Sequence, residues 1–129
     1  MITNEDLLKE ISQRELTELS DLNGTGELNQ EIIDDAVNDA ISFIESFITL
    51  PDNPTPLLKK ILTELTIMEL RKKNELNPDK ERLKEIENYL LKMAANKIPS
   101  TLTEQQNFER TTSQSFVISK KRVSTKGFL

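Results

Sequence analysis

The 129-residue chain has no cysteine, no histidine and no tryptophan, and only three glycines. Without Cys and His there is no thiol nucleophile, no disulfide, no zinc site of the usual kind and no histidine acid-base chemistry. The three glycines do not form a phosphate-binding loop or a dinucleotide fingerprint. Carboxylates such as Asp35 and Asp39 fall opposite an apolar helix stripe, where solvated acids are expected. We therefore predict a non-enzymatic protein with no catalytic residue, no metal site and no cofactor.

Apolar residues are also scarce, at 36% of the chain, and aromatic residues make up 5%. Both values are low for a monomer that completes its own core, so a neighbouring copy is expected to cover some apolar surface. The apolar runs are far shorter than the roughly 20 residues that span a bilayer. The N-terminus shows no basic and apolar pattern of a secretory signal. The sequence thus predicts a soluble protein that is intracellular when made and has no membrane partner.

The net charge of -5 is unevenly distributed along the chain. Residues 1–50 carry 12 acidic and 2 basic side chains (net -10), residues 51–98 carry 8 and 10 (net +2), and residues 99–129 carry 2 and 5 (net +3). The acidic N-terminal part is a poor surface for binding phosphates, so no sequence-specific nucleic-acid binding is expected. The asymmetry favours head-to-tail packing of copies or docking of the basic tail on an acidic partner. The alternative is that these charges lie on ordinary solvated helix faces and have no role in binding.

The hydrophobic pattern predicts an all-α fold, a small bundle of about four to five helices with a long extended C-terminal arm. Helix starts are indicated at Thr3, at Ser12, at Asn29, at Thr55 before Pro56, and at Asn77 before Pro78. The strongest stripe follows Asn29, and we expect that helix to be central and buried on more than one side. It comprises Ile32, Ile33, Ala36, Val37, Ala40, Ile41, Ile44, Phe47 and Ile48, with Phe43 beside it.

Residues 21–32 read DLNGTGELNQEI and carry the opening half of a calcium-binding EF-hand loop. Such a loop takes oxygen ligands from positions 1, 3, 5, 7 and 9, turns at a glycine at position 6 and closes with a bidentate glutamate at position 12. Position 12 here is Ile32, which has no oxygen to give. We expect a tight capped turn before a helix rather than an ion site. The matching positions are Asp21, Asn23, Thr25, Glu27 and Asn29, with Gly26 at the turn.

The chain divides into a helical domain, residues 1–98, and a C-terminal arm, residues 99–129. The arm is rich in Ser, Thr and Gln, lacks a helical period, and ends in a basic segment from Lys120. Phe116, Val117 and Ile118 are the residues of one possible short strand. An arm without a core of its own is expected to be flexible and to serve partner or subunit docking.

The order of these features resembles the Mu-like prophage neck protein family of the gp-thirty-six type. The resemblance rests on the D-x-N-G-T-G-E loop at Asp21, the T-L-P helix end at Thr49, the P-x-L-L start at Pro56 and the basic ending R-V-S-T-K-G-F at Arg122. It covers nearly the whole length. The family is similar in fold to the small helical head-tail connector, or adaptor, proteins of tailed phages.

The resemblance implies a structural protein of the virion neck that is located in the host cytoplasm during assembly. Such a subunit forms a ring, commonly twelve-fold, that joins the portal to tail or head-completion proteins. The tail residues that match the family are Arg122, Lys126, Gly127 and Phe128. We expect these residues, together with Lys120 and Lys121 of the basic segment, to bind the partner. The alternative is a small helical module that responds to calcium or binds a host protein.

Overall fold

The computed structural model describes residues 2–102; residue 1 and residues 103–129 lie outside the described residues. The described part contains five α-helices and no named strand, which confirms the predicted all-α bundle. The predicted strand at Phe116–Ile118 and the arm beyond Leu102 fall outside it. The helices are α1 (Asn4–Leu8), α2 (Gln13–Ser20), α3 (Gln30–Glu45), α4 (Pro56–Lys73) and α5 (Lys80–Ala94).

Helix starts follow the capping residues that the sequence offers. Asn29 Oδ1 accepts hydrogen bonds from two backbone N–H groups at the start of α3, and Ser12 Oγ accepts one at the start of α2, at 3.1 Å. Thr55 Oγ1 accepts the N–H of Leu58 at 3.3 Å, with Pro56 as the first residue of α4. Each cap satisfies a donor that the first helical turn leaves without a partner.

The expected start of the last helix at Asn77 and Pro78 is wrong by two residues. The helix begins at Lys80, and Asp79 is its cap, with a carboxylate oxygen 3.1 Å from the N–H of Arg82. Asn and Asp cap about equally well, so a sequence offering both within one turn does not fix which is used.

The helix at the centre of the bundle is α4, not α3 as the sequence analysis expected. Its side chains contribute to both clusters of the core, and the buried hydroxyls of Thr63 and Thr66 donate to carbonyls one turn earlier, at 3.0 and 2.8 Å. By contrast, Phe43 on α3 and Phe47, two residues beyond its end, are only partly buried. The buried apolar residues of α4 are Leu58, Ile61, Leu62, Leu65, Ile67 and Leu70.

The two clusters divide the bundle along α4. One joins the second half of α3, the first part of α4 and the inward side of α5, where Ile86 and Leu90 are fully buried. The other joins α1, α2, the start of α3 and the end of α4, around Leu7, Leu16 and Ile33. The end of α3 packs with the start of α4 in one cluster and the start of α3 packs with the end of α4 in the other, so the two helices run antiparallel. The connection between them therefore lies at one end of the bundle, and the 21–32 loop lies near the other.

Candidate functional site

The predicted docking residues lie outside the described residues, but the structure shows where the chain that carries them begins. The N–H of Thr55 donates to the carbonyl of Ser100 at 3.0 Å, and the N–H of Leu102 donates to the carbonyl of Asn53 at 3.1 Å. Pro54 and Thr101 form an antiparallel bridge between these contacts. We call residues 53–55 with 100–102 the clamp. It fixes the start of the C-terminal segment against the α3–α4 connection.

The clamp is built into the first turn of α4. Thr55 is 3% exposed, its N–H binds Ser100 and its hydroxyl caps the helix. The prolines on either side, Pro54 and Pro56, restrict the backbone of this connection. Residues 100–102, which sequence reasoning placed in the arm, therefore pack on the helical domain. No short-range pattern marks this pairing, because the two segments are far apart in the sequence.

The 21–32 loop is closed by the carboxylate of Asp21. One oxygen accepts the N–H of Thr25 at 2.8 Å and its hydroxyl at 3.0 Å, and the other accepts the N–H of Gly26 at 2.6 Å. Gly24 and Gly26 have φ values of 72° and 83°, a left-handed conformation that favours glycine. The non-helical part of this loop ends at Asn29, whose N–H donates to Ser20 Oγ at 3.1 Å.

These hydrogen bonds give Asp21 a structural role. They lower the pKa of its carboxyl group, with the N–H of Thr25 as the largest cause and the N–H of Gly26 next, because both donors favour the ionised form. Ile32 lies partly buried against the second core cluster, where a calcium loop needs a carboxylate. Across residues 2–102, no three Asp, Glu, His or Cys side chains are grouped as metal ligands.

Arg82 forms an ion-pair cluster between α4 and α5 that the sequence analysis did not identify. Its guanidinium donates to both oxygens of Glu64, at 2.6 and 3.1 Å, and to Glu85 at 2.9 Å. The hydrogen bonds to Glu64, and then that to Glu85, raise the pKa of the guanidinium above its ordinary value. The i, i+3 spacing of Arg82 and Glu85 is a usable sequence signal, whereas Glu64 is brought in by the fold.

The charge asymmetry seen in the sequence becomes an acidic helix face. α3 has five acidic residues and no Lys or Arg, and all five are exposed: Glu31, Asp34, Asp35, Asp39 and Glu45. Asp39 pairs with Lys73 of α4 at 3.5 Å. The predicted solvated acids at 35 and 39 are thus at the surface, and one of them joins α3 to α4.

A small apolar groove lies between the second half of α3 and the start of α5. Leu65 and Met68 of α4 lie at its base, and Phe43 and Leu83 line its sides. Its volume is about 230 Å³, and Glu69, Lys72 and Pro78 complete its lining. We call it the α3–α5 groove. A volume below the roughly 300 Å³ of the smallest usual ligand pockets fits one or two side chains better than a small molecule.

Together, these features define a small all-α protein with an acidic helix face, a closed glycine loop and a C-terminal segment clamped at its start. None of the helices within residues 2–102 has both the length and the hydrophobicity needed to cross a membrane.

The chain belongs to the family described as Bacteriophage Mu, Gp36, whose family model matches residues 2–119. This confirms the family resemblance and makes the protein phage-related; the match includes the loop and helix motifs and ends before the tail motif at Arg122. No curated protein and no solved structure matches the chain.

Proposed function

We propose that the protein is a structural, non-enzymatic subunit of the virion neck, a head-tail connector that forms a ring between the portal and the tail. Membership of the phage family over residues 2–119 carries this proposal. The helical bundle supplies the body of the subunit, and the C-terminal segment supplies the docking element. The site of action is the virion neck, reached from the host cytoplasm during assembly.

The clamp supports a docking role for the C-terminal segment. Leu102 is held by its hydrogen bond to Asn53, so the chain leaves the bundle at a defined point. Lys120 lies 18 residues further along, which corresponds to a reach of up to roughly 60 Å when extended. That is longer than α4, whose 18 residues span about 27 Å. The basic residues from 120 onward can therefore reach a neighbouring subunit or component.

The acidic face of α3 supports head-to-tail contacts between copies. A contact between this face and the basic segment of another copy is heterologous, and a heterologous contact with the right rotation closes into a ring. Electrostatic attraction of this kind guides assembly and is weakened by salt. The twelve-fold symmetry implied by the resemblance would match the ring to a portal of the same symmetry.

A calcium-responsive module is the competing function, and the loop geometry does not favour it. Both oxygens of Asp21 already accept hydrogen bonds within the loop, and Ile32 offers no oxygen. Binding of a host protein by the tail remains an alternative to docking within the particle.

The decisive experiment is deletion of the gene in an inducible phage that encodes it, with complementation by the full chain. Electron microscopy of the lysate should then show DNA-filled heads separated from free tails. Normal tailed particles in the deletion would refute a neck function, and failure to make heads at all would indicate an earlier role.

Charge-reversal variants test the docking residues within the same system. Lys120→Glu, Lys121→Glu and Arg122→Glu together should leave the fold intact and fail to restore tailed particles. The control is Lys92→Glu with Lys97→Glu, which reverses one exposed cation in the last turn of α5 and one just after the helix. If the tail variant restores tailed particles, or if the control fails to the same extent, the basic tail residues are not the docking residues.

A further inference from the structure

The α3–α5 groove is an apolar surface that the described part of the chain does not fill. Its base and sides are apolar, and two of the contributors, Phe43 and Leu83, are only partly buried although they pack on the first core cluster. Leaving such side chains half in water forgoes part of the free energy that full burial provides. A side chain entering the groove would complete the packing around Leu65 and Met68.

One segment outside the described residues has the composition to fill this groove. Phe116, Val117 and Ile118 are the only three consecutive apolar residues between positions 103 and 129. The chain around them is rich in Ser, Thr and Gln on one side and in Lys and Arg on the other. An aromatic residue and a neighbouring aliphatic residue match a groove of about 230 Å³.

The length of the connecting chain matches the distance that it must cover. The clamp holds Leu102 beside the start of α4, and the groove lies at Leu65 and Met68, about 15 to 20 Å further along that helix. Phe116 is 14 residues beyond Leu102, and a flexible chain of that length has a root-mean-square span of about 20 Å. A tether whose span equals the distance gives the highest effective concentration of the tethered group.

The charge of α3 supports the same occupant, since the two charged residues that line the groove, Glu69 and Lys72, pair with each other at 4.0 Å. Phe43 lies on α3, which has five acidic residues and no basic residue. Lys120, Lys121 and Arg122 directly follow the apolar segment. A segment seated with its apolar residues in the groove therefore brings three cations to the neighbourhood of an acidic helix.

We propose that the α3–α5 groove is a docking site for Phe116–Ile118 of the same chain. The segment covers the apolar groove in the isolated subunit. This inference rests on the groove, the clamp and the length of the tether, and it does not depend on the connector function.

Disulfide trapping tests the proposal directly, because the full chain contains no native cysteine. The pair Leu83→Cys and Ile118→Cys should form an intramolecular disulfide, seen as a monomer of altered mobility on a non-reducing gel. Glu81→Cys with Ile118→Cys is the matched control, since position 81 is exposed and lies about 200° around α5 from position 83. The Leu83 pair should close about tenfold faster than the control, because docking raises its effective concentration.

Adding Phe116→Ser and Val117→Ser to the Leu83 pair should reduce the rate to that of the control. These changes lie outside the helical domain, so the groove itself is unaltered. Equal rates for the Leu83 and Glu81 pairs would overturn the proposal. Disulfide-linked dimers whose yield rises with protein concentration would also overturn it and assign the groove to a second copy.

Discussion

Breaking the contact between Glu64 and Arg82 should destabilise the bundle more than breaking any exposed helical pair. Arg82 makes two hydrogen bonds to Glu64, and their side chains are 28% and 15% exposed respectively. A hydrogen bond to a charged group contributes about 1.5 to 3 kcal/mol to stability. Partial burial of the charges opposes this gain through desolvation, and Glu85 still pairs with Arg82 when Glu64 is removed. We therefore expect a coupling free energy of about 1.5 kcal/mol.

A double-mutant cycle of Glu64→Gln and Arg82→Ala, measured by urea unfolding of the full chain, gives this coupling. Arg14 and Glu18 form the control pair, with a distance of 3.3 Å and side chains 88% and 64% exposed. An exposed i, i+4 pair of this kind contributes about 0.3 to 0.5 kcal/mol. Arg82→Lys should recover only part of the stability, since lysine keeps the charge but not the two-pronged geometry. Equal couplings for the two pairs would refute the reasoning.

Three further predictions concern the loop, the clamp and the arm. Because folding lowers the pKa of Asp21 below the unfolded value near 3.8, the ionised carboxylate stabilises the folded state above that value, and this stabilisation is lost as pH falls through the folded pKa. The melting temperatures of wild type and Asp21→Asn should therefore differ at pH 7 and converge in acid. Millimolar calcium should shift neither melting temperature. Thr55→Ala should lower the free energy of unfolding by about 1 kcal/mol in urea titrations, and a change below a few tenths would contradict its role as a cap. Removing residues 103–129 should preserve the circular dichroism spectrum and cost only the packing of Phe116–Ile118 in the groove. Removing 99–129 should cost about 1 to 2 kcal/mol more, because it also deletes the two clamp hydrogen bonds, and indistinguishable truncations would mean that the clamp contributes nothing.

The features that could be predicted from the sequence are those encoded within one or two turns of chain. Asn29 and the Thr55 and Pro56 pair mark helix starts because a cap and the donors that it satisfies are close in sequence. The absence of the closing glutamate ligand, where Ile32 stands, could likewise be predicted from the spacing alone.

The features that could not be predicted depend on contacts between distant segments. The central position of α4 was missed because Thr63 and Thr66 count as polar in a periodicity, although in the structure their hydroxyls are satisfied by helix carbonyls and are buried. Glu64 and Arg82 face each other only once α5 has packed on α4. The clamp requires residues 100–102 to return to the α3–α4 connection, and no local pattern indicates that return.

The clamp and the proposed groove site together affect which binding site the tethered tail occupies. Under the two proposals, a tail seated in its own groove is not available to a neighbour. Its apparent affinity for the neighbour is then the intrinsic affinity multiplied by the fraction of subunits in which the tail is released. In an isolated subunit, the short tether favours the groove of the same chain. In the proposed ring, several neighbours would surround each tail and raise the concentration of competing sites. Docking in the groove would therefore restrain premature association of free subunits without preventing assembly on a preformed partner.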